Sequence, residues 1–582
     1  MADGRSSPFR SVILFALLPC IAALATIAIL QSTGQFAKGG YLSILDVSVL
    51  AFLGQDWLGA LAFMSIVIAS WFISKGRNGL GPLLERLHPG RFAVPIIAFT
   101  GAVAVWLTAL VAFRGYALSL DEFLPTFQAE IFRSGKLLAP VPSDLWPLHR
   151  YLQTSFTYTD AEHGLWGGHY RPGHSLLLAL APSLGGVNLL NAIMTAISVF
   201  ALSSIVRRLW PNNTEIQVVA CLLLLASPQV IVTGGSGFSF TTHLAFNLVW
   251  LALFLKGAAE RRLLPHLGAA LVGSYAIGLH QVHFHPIFAF PFLTLLVFGA
   301  VGRRRDLLTY AVSYATALPF WVLWPELAVW ATTGDASVLP RSLMEVDYIA
   351  NYLSEAKTNP MVAPQNSAIY LIVNLLRFVL WLSPAVIILV IAALSKPGRV
   401  GVVVWAALAG VILNIVLSHL LMPNQMQTWG TRYYHPVIGN AILIASAGYV
   451  ALRESRDDAL ARRLSQAIPW LVVLSLIVLL PLRLVQVHAK VAPRAAVADA
   501  VASVDADIVV IPPLPIWFMW DFVRNDPFLK QRPLILAGYD EDWRQFLLPA
   551  RNETVRVLTI KDFEAFGLPT GTFDEPGPPY PE

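Results

Sequence analysis

Ser11-Val-Ile-Leu-Phe-Ala-Leu-Leu-Pro19-Cys20-Ile-Ala-Ala-Leu-Ala-Thr-Ile-Ala-Ile-Leu30 is an uncharged, almost wholly apolar run. Wound as a helix it covers about 30 Å, the thickness of a bilayer's hydrocarbon core, so it reads as a membrane span. Arg5 and Arg10 in front of it imitate a signal peptide. The run is nevertheless long enough to span, and Pro19 stands where a lipoprotein cleavage site needs a small residue before Cys20. We read it as an uncleaved first helix.

The same pattern recurs outward from this run. Apolar windows predict spans near 57–74, 92–113, 186–206, 215–233, 241–256, 264–280 and 286–301, and further ones near 307–330, 367–394, 400–421, 434–452 and 467–486. The composition agrees: 56% of the 582 residues are hydrophobic, 13% are charged and the mean hydropathy is +0.63, too apolar for a water-soluble domain. The 17 Trp and 39 Pro suit a bilayer, which anchors indoles at its surface and tolerates proline in its helices. Cys20 and Cys221 both lie in apolar stretches and suggest neither a disulfide framework nor a cysteine metal site. The net charge of +5 is scattered over short loops, which argues against nucleic acid as a partner.

Alternate loops are basic: Lys75 to Arg91, Arg207-Arg208, Lys256 to Arg262, Arg303 to Arg305, Lys396 to Arg399 and Arg453 to Arg463. The excess of Lys and Arg assigns these to the cytoplasm, together with the N-terminus. The expected fold is therefore mainly α, a polytopic membrane helical bundle of about thirteen transmembrane helices. The division expected is an N-terminal transmembrane hairpin and cytoplasmic linker over 1–90, a transmembrane core over 91–486 with an outside loop at 114–185, and a small extracytoplasmic α/β domain over 487–582. In that tail, 494–504 reads as a helix and 507–511, 533–537 and 554–560 as strands.

Most of the chemically capable polar residues fall on the outside face. Asp121 and Glu122 emerge just beyond a span, in Ser119-Leu-Asp121-Glu122-Phe-Leu-Pro125. Ser119 and Glu122 have the spacing of a capping box, whereas Pro125 favours a later helix start near Asp121, and the two readings stand equally. Ionised carboxylates here suit deprotonation of an acceptor or coordination of a divalent cation.

The string from Asp121-Glu122 through Phe127-Gln128-Ala129, Gly135 and Pro140-Val-Pro142, followed by Tyr170-x-Pro172-Gly173, resembles bacterial multi-spanning glycosyltransferases of the C superfamily. The branch it is most similar to is that of protein mannosyltransferases and lipid A aminoarabinose transferases. Ser239-Phe-Thr-Thr-His243 and Gly430-Thr431-Arg432-Tyr433-Tyr434 add to the likeness, which covers roughly residues 95–450. The resemblance implies a sugar donor linked to polyprenyl phosphate, a cell-envelope glycan, lipid or protein as acceptor, and a place in the bacterial cytoplasmic membrane. It makes Asp121 the candidate base, with Glu122 assisting or helping to hold a cation.

A departing lipid phosphate needs fixed cations and donors. Arg432, flanked by Tyr433 and Tyr434, is the first candidate, and Arg171 the second. Arg377 is ambiguous as a phosphate contact: the apolar run 367–394 exceeds one bilayer thickness, which allows it to lie a turn below the surface and snorkel. His280, His283 and His285, with His174 and His243 nearby, form an outside histidine group whose spacing could serve a metal. Related chains carry an arginine before the position of Pro286, so the resemblance leaves His280 and His283 as substitutes for it. A transporter or flippase of a lipid-linked glycan is the alternative, for which mid-membrane charges and broken or repeated helices would speak.

Overall fold

The computed structural model describes residues 11–32, 47–74, 92–152, 156–181, 188–211, 213–338, 364–423, 425, 429–455, 457–514, 519–540, 542–546 and 553–568. Eight helices among them are long and apolar enough to cross a membrane: α1 (Val12–Ser32), α2 (Val49–Ile73), α3 (Ala93–Ala112), α6 (Leu189–Leu209), α9 (Phe240–Glu260), α16 (Val402–Leu421), α17 (Arg432–Arg453) and α18 (Ala459–Ala502). Three bent pairs raise the number to eleven if each is one span. These are α7 with α8 (Thr214–Leu225, Pro228–Gly235; 56°), α12 with α13 (Arg304–Val322, Trp324–Thr333; 67°) and α14 with α15 (Ala368–Leu380, Pro384–Leu394; 104°). The other two expected spans are α10 (Leu263–Ile277) and α11 (Phe284–Val297), of 15 and 14 residues, shorter than the roughly 20 that a straight crossing takes. The basic segment Lys75 to Arg91, read as cytoplasmic linker, lies outside the described residues.

Burial sorts the helices. The most apolar window of α17 is 94% buried, so it is central, while those of α1 and α3 are 28% buried and face outward. Apolar side chains point outward from the rim helices, as lipid as a solvent permits. Two of these breaks satisfy one another. Each second half begins on a proline, Pro228 and Pro384, which needs no N–H partner in a first turn. The freed groups then pair across: Gln229 N–H donates to the Trp381 carbonyl at 3.0 Å, and Ser383 N–H to Ser227 Oγ at 3.2 Å.

An ion cluster lies inside the bundle beneath these breaks. Asp56 forms ion pairs with Arg377 (Nε to Oδ2, 2.9 Å) and Arg483 (Nη1 to Oδ1, 2.8 Å), with all three side chains at most 1% exposed. Trp381 Nε1 donates to the same carboxylate at 2.8 Å, and the Arg483 guanidinium stacks 4.3 Å from the Trp381 ring. Arg377 therefore does not snorkel. Its charge is answered by Asp56, which the sequence reading left outside the second span because it began that span at residue 57.

The outside loop carries α4 (Leu120–Arg133), a three-stranded antiparallel sheet in the order β1-β3-β2 (Ala139–Pro140, Leu165–Gly168, Thr157–Asp160) and the short α5 (Gly173–Leu180). None of these strands was expected. In the tail, β4 (Ile508–Ile511), β5 (Leu534–Ala537) and β6 (Val555–Val557) form a parallel sheet in the order β5-β4-β6. Its residues alternate as the period of two requires. Ile508, Val510, Leu534 and Leu536 join Leu124, Phe127 and Trp166 of the outside loop in one core, while Val509, Ile511 and Ile535 pack on Val497, Val501 and Phe563. The tail sheet thus shares a core with the loop. Nor does the helix end at 486: α18 continues over 44 residues, through a π-helical segment at Ser475–Leu479, and the separate helix expected at 494–504 is its last part.

Candidate active site

The site is built where α4, the turns at 169–173, 234–238 and 278–283, and the start of α17 meet. Ser119 is the N-cap of α4 in an extended conformation, but its hydroxyl makes no capping bond, so the capping box is not formed. The cap comes from the tail: Asp521 Oδ1 accepts from Leu120 N–H at 3.2 Å, across 401 residues of sequence. Arg524, three residues on, donates to the Ala117 carbonyl at 2.6 Å and lies 4.2 Å from the Tyr116 ring. Pro125 is inside the helix and removes the N–H that would have bonded the Asp121 carbonyl.

With the first turn held in this way, Asp121 and Glu122 point to different partners. Asp121 Oδ2 accepts from Arg432 Nη1 at 2.8 Å, and Asp121 Oδ1 accepts from the Tyr170 hydroxyl. Glu122 is 2% exposed, and its Oε2 accepts long bonds from the N–H groups of Leu118 at 3.4 Å and Gly237 at 3.3 Å. A side chain at Gly237 would meet the Glu122 carbonyl oxygen at 2.8 Å, so glycine is what lets this turn close over the acid. Burial pushes the Glu122 carboxyl up to about 7, against the weaker pull of those two N–H groups. Burial likewise raises Asp521 to about 6, opposed by the Arg524 and Arg494 charges.

Arg432 is 5% exposed and sandwiched between rings, its guanidinium carbon 5.2 Å from the Phe238 ring and 4.9 Å from that of Tyr433. Its Nη2 donates to the Tyr433 hydroxyl at 2.9 Å, and its Nε finds no hydrogen-bond partner among the described residues. The backbone before it is pinned by Gln229, which donates to the Trp429 carbonyl at 2.8 Å and accepts from Thr431 N–H at 3.1 Å. Gly430 between them has φ +62°, and a Cβ there would collide with Gln229 Oε1. Tyr433 N–H is held in turn by Gln425 Oε1 at 3.2 Å.

The remaining expected residues divide. His280 joins the site: its ring lies 4.2 Å from that of Tyr170, and burial with the nearby Arg432 charge keeps the imidazole well below its usual pKa. His283 packs on Phe284 at 4.6 Å and is lowered to about 4 by burial. His174 and His243 line the layer below. His174 Nδ1 is 3.1 Å from Thr242 Oγ1, and the His243 ring lies 5.4 Å from Phe284. His285 is structural, bridging Asn247 at 2.9 Å and Tyr314 at 2.8 Å. Tyr434 is not part of the site; one residue past Tyr433 its ring faces the other way, packing 5.6 Å from Phe378. Arg171 is half-buried beside His169, whose protonation its charge disfavours, while the Asp121 partner from this turn is its neighbour Tyr170. Among the described residues no three His, Cys, Asp or Glu side chains converge to hold a metal ion.

The sequence reading did not list Tyr170, Gln229, Gln425 or Asp521 as site residues. Tyr170 lay within a quoted motif, and the other three carry no local signal.

No protein-family model matches this chain, and no curated protein does. Among solved structures it is similar to ArnT from Cupriavidus metallidurans bound to undecaprenyl phosphate, at TM-score 0.44 and 15% identity over 80% of this chain and 90% of that one. The apo state of the same protein aligns at TM-score 0.45 and 13% identity over 83% and 89%. The archaeal oligosaccharyltransferase AglB from Archaeoglobus fulgidus, in complex with an inhibitory peptide and a dolichol-phosphate, aligns at TM-score 0.39 and 11% identity over 76% and 64%. Likenesses this distant leave the chemistry to be argued from the site itself.

Proposed function

We propose that the protein transfers a sugar from a polyprenyl-phosphate-linked donor to a cell-envelope acceptor at the outer face of the bundle. The observation that carries this reading is the buried Asp121–Arg432 pair, a carboxylate and a guanidinium at the mouth of an apolar bundle with an Arg432 N–H left unpartnered.

The roles follow from what each group can still do. Each Asp121 oxygen accepts one hydrogen bond and keeps a lone pair, so the carboxylate can accept the proton of an acceptor hydroxyl or amine as its oxygen or nitrogen bonds to the sugar's anomeric carbon. The bond from that carbon to the phosphate oxygen breaks, and the leaving phosphate gains the electron pair. Arg432 Nε and the Tyr433 hydroxyl are donors suited to that developing charge, in a setting where few waters compete. Glu122, held above the usual carboxylate range, serves as a packed, hydrogen-bonded support for the 234–238 turn rather than as a second base.

The test is transfer from a labelled polyprenyl-phosphate sugar by purified Asp121→Asn, which keeps the shape and the Tyr170 bond and removes the base. The variant leaves Arg432 without its counter-ion and should lower the unfolding midpoint, so transfer is measured below it: loss of transfer in protein that is still folded supports the reading, and undiminished transfer removes Asp121 from the mechanism. A second reading, a flippase for a lipid-linked glycan, draws on the intramembrane Asp56–Arg377–Arg483 cluster and the three bent helix pairs. A labelled donor that changes leaflet without being consumed decides for it.

A further inference from the structure

We propose that the basic end of the bundle carries a docking groove for an anionic phospholipid. It lies between α10, α12 and the end of α9, has a volume of about 1140 Å³, and its apolar walls are chiefly leucine. Two apolar stripes face it. Leu264 and Leu271, seven residues apart on α10, are 78% and 68% exposed; Leu308 and Val312, four apart on α12, are 68% and 56% exposed. Its polar end is cationic. Lys256, Arg303 and Arg305 line it against one carboxylate, Asp306, which is 2% exposed and already held by Arg303 at 2.9 and 3.0 Å. The lip therefore keeps a net positive charge directly above walls that only acyl chains would wet.

The occupant follows from this juxtaposition. A basic pocket between helices at the cytoplasmic-type end of a membrane protein suits an anionic headgroup with its chains along the helices. The position excludes the sugar donor of the outer site: Lys256 lies 16 residues along α9 from Phe240, about 24 Å away and on the opposite face. The inference does not depend on the reading of that outer site.

The experiment uses the full-length protein, delipidated, in nanodiscs containing phosphatidylglycerol or phosphatidylcholine, with retained lipid counted by native mass spectrometry. A photoactivatable phosphatidylglycerol maps the position. Wild type should retain phosphatidylglycerol several-fold over phosphatidylcholine and cross-link on α10 or α12. Lys256→Gln/Arg305→Gln should bring retention to parity, and Arg305→Gln alone, on an exposed turn, should fall between. Parity in wild type, unchanged selectivity in both variants, or cross-links confined elsewhere overturns the proposal. So does preferential occupation by a polyprenyl phosphate, which would make the groove a donor-lipid site instead.

Discussion

Glu122→Gln separates the two adjacent carboxylates by pH. Glu122 sits at about 7 against 4.5 for an unperturbed glutamate, because burial outweighs two long backbone hydrogen bonds. The native state thus binds a proton that the unfolded chain releases over that interval. Stability from this group is fully present below about pH 4.5 and is lost as pH rises to about 7. A displacement of about 2.5 units corresponds to about 3 kcal/mol. Gln offers the same acceptor oxygen to Leu118 and Gly237 and carries no charge at any pH. Measured as unfolding of the solubilised protein by tryptophan fluorescence, the variant should gain on wild type by about 2.5 kcal/mol between about pH 5 and pH 8, most of it below pH 7. Transfer by the variant should persist. Parallel pH profiles for the two proteins, or a wild type that gains stability towards pH 8 relative to the variant, would refute the burial argument.

Asp56→Asn leaves two buried guanidinium groups without a counter-ion and should cost about 3–5 kcal/mol, read as a lower unfolding midpoint. Arg483→Met, which leaves the Asp56–Arg377 pair intact, should cost less than half of that. Asp521→Ala removes the cap of α4 and should cost about 1 kcal/mol while lowering turnover, whereas Asp521→Asn, with an acceptor oxygen retained, should keep most of the turnover. Equal turnover losses in both would assign Asp521 a charge role instead of a capping one.

The helices were legible because a bilayer demands long uncharged runs, and that demand is local. Asp121 and Arg432 were legible as chemistry, since each sits in a polar string at a span's end, but not as a pair, being 311 residues apart. The ion cluster was less visible still. Arg377 was noticed and its partner was not, because a single acid at the edge of an apolar run reads as a loop residue until two arginines from distant helices are seen to close on it. The cap on α4 had a local candidate in Ser119, and the fold instead used a carboxylate from the tail. No spacing rule relates residues so far apart, and the shared core of the tail sheet and the outside loop escaped notice for the same reason.

The 44-residue α18 has a mechanical consequence. At 1.5 Å per residue it is a rod of about 66 Å, roughly twice the hydrocarbon thickness, with a π-helical segment at Ser475–Leu479 dividing it. The part from Leu480 to Ala502 is a lever of about 35 Å whose far end carries the tail sheet. A tilt of about 5° at the π segment would move that end by about 3 Å, enough to break a hydrogen bond such as Asp521 to Leu120. His488 to the Val111 carbonyl and Arg114 to the Ala492 carbonyl brace the lever against the end of α3. One continuous helix thereby ties the cap of the turn bearing Asp121 to a rod that crosses the bundle.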